Sequence, residues 1–398
     1  MNAKRRLSSR KPGVHVHALD RHAGSAGFTL VEILVVIVII GILMALAVPA
    51  IFSAVSTANS TAMKMELNSL DTAIQKYQEK YGDYPPDFSD WSVVERHYRK
   101  IFPRISSDLV LLETILQTGG VHDPSKLNRG EVLVFVLGGY SSDPLRPFTG
   151  PGGPWEQCSS GPNPYQYNTS RENSFYDFDP TRLDIVALPL AGEDPLPGFS
   201  VRYMSSDEVD VDIFPSYAAS SKNRTPFVYF DARTYDTHTP RGYNGFDFPE
   251  MGSVRPYISQ QRDQGTTPSW AFMKPSSFQI IAPGIDGNFG FFNKVRNPGS
   301  DWGYFGGSST GNSNAETGVY YQYPTGKATY TYWNGIKTTW GPLGSDNLPT
   351  VFPGKPGSWW TQQISRYQEP ASANQVDNFQ QDNLTNFADG KLIDELQE

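Results

Sequence analysis

The sequence predicts an α+β protein, a long N-terminal helix packed on a loop-rich domain with an antiparallel sheet. Three observations predict it. Residues 33–48 form a run of sixteen without one polar side chain. Apolar residues then recur at helical spacing as far as Tyr81. Beyond that point the apolar runs shorten and are set apart by Gly, Pro, Asn and Asp, the pattern of strands joined by turns.

With its flanks, from Phe28 to Phe52, the apolar stretch reads FTLVEILVVIVIIGILMALAVPAIF. It exceeds the roughly 20 residues a helix needs to cross a bilayer. The segment before it carries Lys4, Arg5, Arg6, Arg10, Lys11 and Arg21 against Asp20 alone. A basic flank keeps its end of a span on the cytoplasmic side. The whole chain has a net charge of −8, so the remainder is strongly acidic. An acidic body argues against nucleic acid as a partner and fits export across the membrane.

Glu32 is out of place in this run. An ionised side chain at bilayer depth costs on the order of 3 kcal/mol or more. Either it snorkels to the interface, or it finds a positive partner inside an assembly. Ala45-Leu46-Ala47 also has the small-residue form of a secretory cleavage site, which would release a soluble protein beginning near Val48. The length of the apolar run and the acid near its start argue against that, and a twin-arginine signal at Arg5-Arg6 is weaker still.

The helix is expected to continue beyond Pro49, with a stripe at Ile51, Val55, Ala58, Ala62, Met65, Leu70, Ala73, Ile74, Tyr77 and Tyr81. Gly82 and then Pro85-Pro86 end it. From Phe28 to Tyr81 such a helix would be about 80 Å long. Further on, Trp91–Phe102 and Asp108–Gln117 are predicted helices, the second closed by Gly119-Gly120. The run 131–137 (EVLVFVL) fits a strand or a buried helix equally. Strands are predicted at Asp184–Leu188, Phe227–Phe230, Phe278–Ala282 and Val319–Tyr323, and the polar tail from Gln375 is expected to lie over the surface. Cys158 is the single cysteine, so neither a disulfide framework nor a thiolate metal site is available within the chain.

Gly27-Phe28-Thr29-Leu30-Val31-Glu32 resembles the type III signal of prepilins and pseudopilins, the type IV pilin-like family. The resemblance implies that a prepilin peptidase cuts after Gly27 and methylates the new amino group of Phe28. Glu32 then becomes the fifth mature residue, the acid such proteins use in assembly. Gly41 and Pro49 stand where pilin helices often carry these residues. Both lower helix propensity, and Pro49 removes a backbone donor, which would let the span kink or unwind on entering a filament. The implied organisation is a cleaved leader over 1–27, a pilin helix over 28–81 with its transmembrane segment at 28–52, and a periplasmic globular domain over 83–398. The membrane would be the bacterial inner membrane, crossed once, with the leader cytoplasmic and the subunit extractable into a fibre.

Two further stretches resemble the major pseudopilin of type II secretion. Pro283-Gly284-Ile285-Asp286-Gly287 is similar to its "PG-x-DG" loop, and Asp377-Asn378 with 382–386 (DNLTN) to its polar C-terminal segment. That family holds calcium near its C-terminal loop, so the resemblance makes Asp286, Asn288 and Asp382 candidate ligands for Ca2+, a cation suited to hard oxygen donors. The mature chain is larger than a typical major pseudopilin, which leaves a major subunit and a larger minor or tip subunit both open. The expected partners are prepilin peptidase, other pilin or pseudopilin subunits, the inner-membrane assembly platform and membrane lipid.

No catalytic constellation is present. His97, His122 and His238 have no metal-like spacing, and Cys158 lies in a Gly/Ser/Pro loop. Asp207, Glu208, Asp210 and Asp212 read as a solvated strand face. The Gly-rich 302–318 region follows no phosphate-loop pattern. The expected function is therefore structural: a subunit of a type II secretion pseudopilus or a type IV pilus-like fibre, and not an enzyme. The alternative is a membrane-anchored binding module for a glycan or envelope polymer, its Trp333, Trp340 and Trp359-Trp360 forming the platform.

Overall fold

The computed structural model describes residues 29–105, 107–122, 126–157, 165–184, 214–235, 252–261, 269–289 and 382–392. It also describes short segments at 246–248, 295–297, 300–303, 317–321, 323, 328–333 and 338–342. Gly27, Phe28, Cys158, the acidic run at 207–212 and Trp359-Trp360 lie outside the described residues. The chain divides into two units, up to Val55 and from Ser56 onward.

Helix α1 spans Leu30–Tyr81 and continues through Gly41 and Pro49. In the first unit every large apolar side chain from Leu30 to Val55 is exposed. This helix is long and apolar enough to cross a membrane. In the second unit its buried face is Ser60, Met63, Leu67, Leu70, Ala73, Ile74 and Tyr77. The predicted stripe is right from Leu70 to Tyr77 and wrong before it. Ala58, Ala62 and Met65 are exposed, because the 60-63-67-70-74-77 row, about two fifths of a turn away, faces the domain.

Gly82 ends α1 in the left-handed region, at φ 72°, with its N–H on Gln78 O. Helix α2 (Trp91–Ile101) begins at Asp90, whose carboxylate accepts from the Ser92 N–H. Helix α3 is shorter than predicted, Ser107–Ile115. Gly119 and Gly120 do not cap it. Both have positive φ and form the turn of a small hairpin, pairing Gln117 with His122 and Thr118 with Val121. The ambiguous run is helix α4 (Val132–Leu137), buried at every position. Asp184 pairs in a strand at Leu183–Asp184, and the remainder of that predicted strand lies outside the described residues.

The strand Phe278–Ala282 is flanked by Val228–Asp231 on one side and Leu384–Thr385 on the other, both antiparallel. Side chains alternate along it, as a strand requires. Phe278, Ile280 and Ala282 belong to the core that holds Leu67, Leu70 and Tyr77 of α1, whereas Ile281 joins a second core with Val228, Phe230, Val254, Tyr257 and Phe289. Both faces are therefore dry. Other strands form small antiparallel pairs and triplets, among them Thr317–Tyr321 with Ala328–Trp333. Within the C-terminal tail, the described residues 382–392 depart from expectation: Asn383, Leu384, Thr385, Ala388 and Leu392 are buried, so this part is inserted into the domain and does not lie over it.

Candidate functional site

At the start of α1, Thr29 and Glu32 form a reciprocal capping box. The Thr29 N–H and Oγ1 donate to Glu32 Oε2 at 2.8 and 2.9 Å, and the Glu32 N–H donates to Thr29 Oγ1 at 3.2 Å. Four N–H groups at a helix N-terminus lack intrahelical partners, and a carboxylate there also favours the helix dipole. The acid is thus satisfied within its own chain. The Thr29 N–H is the amide joined to Phe28, so the carboxylate sits one residue from the amine that cleavage after Gly27 would create. The Thr-x-x-Glu spacing makes this box legible in the sequence, where Glu32 stands out only as an acid in an apolar run.

The other candidate site is the turn at 283–288. Gly284 has φ 74° and Gly287 φ 75°. A Cβ on Gly284 would stand 2.4 Å from Asp382 Oδ1, so glycine is needed both for the backbone and for the approach of that carboxylate. Asp382 Oδ2 accepts from the N–H of Ile285 at 2.7 Å and of Asp286 at 3.3 Å. Asn288 joins through its backbone, whose N–H donates to Asp286 Oδ1 at 2.8 Å. The structure therefore brings the PG-I-D-G turn and the C-terminal segment together, although about 95 residues separate them in sequence.

Burial, and then the charge of Asp382, push the Asp286 carboxyl up to about 7. Asp382 is also raised, chiefly by burial, against the pull of the two N–H groups it accepts. Asn383 Oδ1, one residue away, is buried and has no hydrogen-bond partner among the described residues. Two neighbouring carboxylates, one of them raised by the charge of the other, are a donor set that a hard divalent cation would neutralise. Among the described residues no group of three His, Cys, Asp or Glu is placed to hold a metal. A calcium ion would need carbonyl or water oxygens to complete its shell.

The helix exit is held by charge. Arg233 Nη1 donates to Asp83 at 2.8 Å and its Nη2 to Tyr84 O at 2.7 Å, while the same guanidinium pairs with Asp231 at 2.6 Å. Asp87, buried, accepts from Thr234 Oγ1 and from Arg129 Nε. His97 bridges Tyr77 OH at 2.8 Å and Asp83 at 3.4 Å, and burial holds it below the usual histidine range. Its ring is fully covered, so it is a core group with no access to a substrate.

A family model described as the prokaryotic N-terminal methylation motif matches residues 23–48. No curated protein and no solved structure matches the chain. The motif and the long apolar helix behind it are consistent with a type IV pilin-like protein. They point to processing as a prepilin, a membrane anchor and a structural class of protein.

Proposed function

We propose that the chain is a structural subunit of a type II secretion pseudopilus or type IV pilus-like fibre. Prepilin peptidase removes residues 1–27, and the subunit waits in the inner membrane with residues 83–398 in the periplasm. The observation that carries this reading is Glu32, an acid at the head of a helix whose large apolar side chains from Leu30 to Val55 are all exposed.

Within one chain the carboxylate is spent on the helix cap. An incoming subunit's Phe28 amine can replace the Thr29 donors, so that two charges are paired as both leave water. Leaving either unpaired would cost about 3–5 kcal/mol, which makes register in the fibre strict. Gly41 and Pro49 supply the give that the span needs when lipid contacts become helix contacts. At the C-terminal loop, Asp286 and Asp382, with the Asn288 turn, hold calcium.

Glu32→Ala tests the reading. Processing is expected to proceed, since Gly27 and Phe28 are intact, while co-assembly measured by crosslinking to wild-type subunits falls to background. Wild-type levels of crosslinked product from Glu32→Ala would favour a simple membrane anchor carrying a binding domain.

A further inference from the structure

The C-terminal segment 382–392 touches three parts of the second unit, and little of that attachment is sheet. Its strand is two residues long, pairing Leu384 with Ala282 and Thr385 with Ile281. Leu384 belongs to the core shared with α1, whereas Ala388 and Leu392 belong to the second core. Further attachments are hydrogen bonds to α1, to Ile280 and to the 283–288 turn, the Asn383 Nδ2 bonds to Tyr257 OH and Phe289 O, and the Phe387 ring against Tyr257 and Tyr323.

Lys64 on α1 donates from Nζ to Thr385 O at 2.7 Å and to Ala388 O at 2.5 Å. Two backbone carbonyls of one tight turn thus converge on a single cation, which here is carried by the helix itself. Seven residues along α1, Asp71 accepts from Asn386 Nδ2 at 2.8 Å. The same Asn386 accepts at Oδ1 from the Ile280 N–H, and its own N–H donates to Ile280 O. One side chain therefore joins the helix, the central strand and the segment. On the far side, Asp382 grips the turn through the Ile285 and Asp286 N–H groups.

We propose that residues 382–392 form a separable clasp, locked onto α1 by the Lys64 ammonium and Asp71, whose release opens the second core while the first stays folded. Elements held to the rest of a fold by few backbone bonds open locally, below the free energy of global unfolding. Charged hydrogen bonds to carbonyls are the strong members of the set, so Lys64 sets the opening equilibrium. If α1 is the assembling element, as the fibre reading holds, the clasp is where a change at the helix reaches the second core. The clasp itself does not depend on that reading.

Hydrogen exchange of the full chain in detergent, read by mass spectrometry, tests it. Lys64→Met should speed exchange at Asn386, Ala388 and Leu392 by about tenfold or more, the size expected when charged hydrogen bonds are lost. Phe135 and Gly138, whose N–H groups are bonded within and at the end of α4, should exchange at the wild-type rate. Asn386→Ala, which leaves Lys64 in place, should accelerate the same three amides. Wild-type exchange in both variants overturns the proposal. So does equal acceleration at α4, or a Lys64→Met chain that fails to fold, because the segment would then open only with the whole domain.

Discussion

Glu66→Ala should destabilise the second unit by about 2–3 kcal/mol, and the structure shows why the cost is that large. Glu66 lies on α1 and accepts from Arg182 Nη1 at 2.7 and 2.6 Å, from Tyr217 OH at 2.6 Å and from Tyr176 OH at 3.1 Å. Arg182 also donates to Ala218 O and lies 4.4 Å above the Tyr217 ring. The side chains are 14% and 17% exposed for Arg182 and Glu66. Removing one member of a fully buried pair costs about 3–5 kcal/mol, and the remaining solvent access lowers that figure here.

Urea unfolding of the detergent-solubilised chain, followed by tryptophan fluorescence, measures the cost as a shift in midpoint at constant slope. The paired replacement Glu66→Leu with Arg182→Met should cost less than Glu66→Ala alone, because no charge is stranded. A Glu66→Ala cost below about 0.5 kcal/mol, or single costs that simply add in the double variant, would refute the reasoning.

Acid should weaken the fold in two steps. The His97 ring is held below its ordinary value by burial, so the native state binds fewer protons and stability falls as pH drops below about 6.5. Burial raises the Asp83 carboxyl, but the His97 hydrogen bond and the Arg233 and Lys100 charges outweigh it and hold it at about 2. That contribution is present above about 4 and is lost on falling from there toward 2. His97→Gln should flatten the upper step of a stability–pH profile and shrink the lower one, which the Arg233 and Lys100 charges then hold without the imidazole. At the C-terminal loop the sign is reversed: Asp286, raised to about 7, costs stability as pH rises from about 4 to 7. Calcium at a hundred times its Kd should restore about 2.7 kcal/mol at pH 8, reversed by chelator. Asp382→Asn should abolish the calcium effect in the same thermal melt.

Elements with a one-dimensional signature were legible in the sequence. The apolar run, the Gly82 stop, α2 and the strand at 278–282 follow from spacing and breakers that act locally. The misreadings arose where tertiary contact chose between local options. Ala58, Ala62 and Met65 are at good helical spacing, yet Ser60, Met63 and Leu67 face the domain. Gly119-Gly120 serves a helix end or a hairpin equally, and pairing of Thr118 with Val121 decided it.

The same holds for the site. Asp286 and Asp382 were singled out by resemblance, and the structure does bring them together. Lys64 gave no signal, since a lysine on a helix reads as solvated until the carbonyls of residues more than 300 positions away arrive. The Arg182–Glu66 and Arg129–Asp87 pairs were hidden for the same reason: ion pairs across long separations leave no period.

The mass of the mature N-terminus, taken from protein purified from membranes, tests the prepilin reading most directly. A chain beginning at Phe28 with an N-methyl group is the predicted result, and it would place the Glu32 carboxylate beside a new cationic amine. A chain beginning near Val48 would contradict it, because Glu32 and the apolar run would have been discarded with a secretory signal.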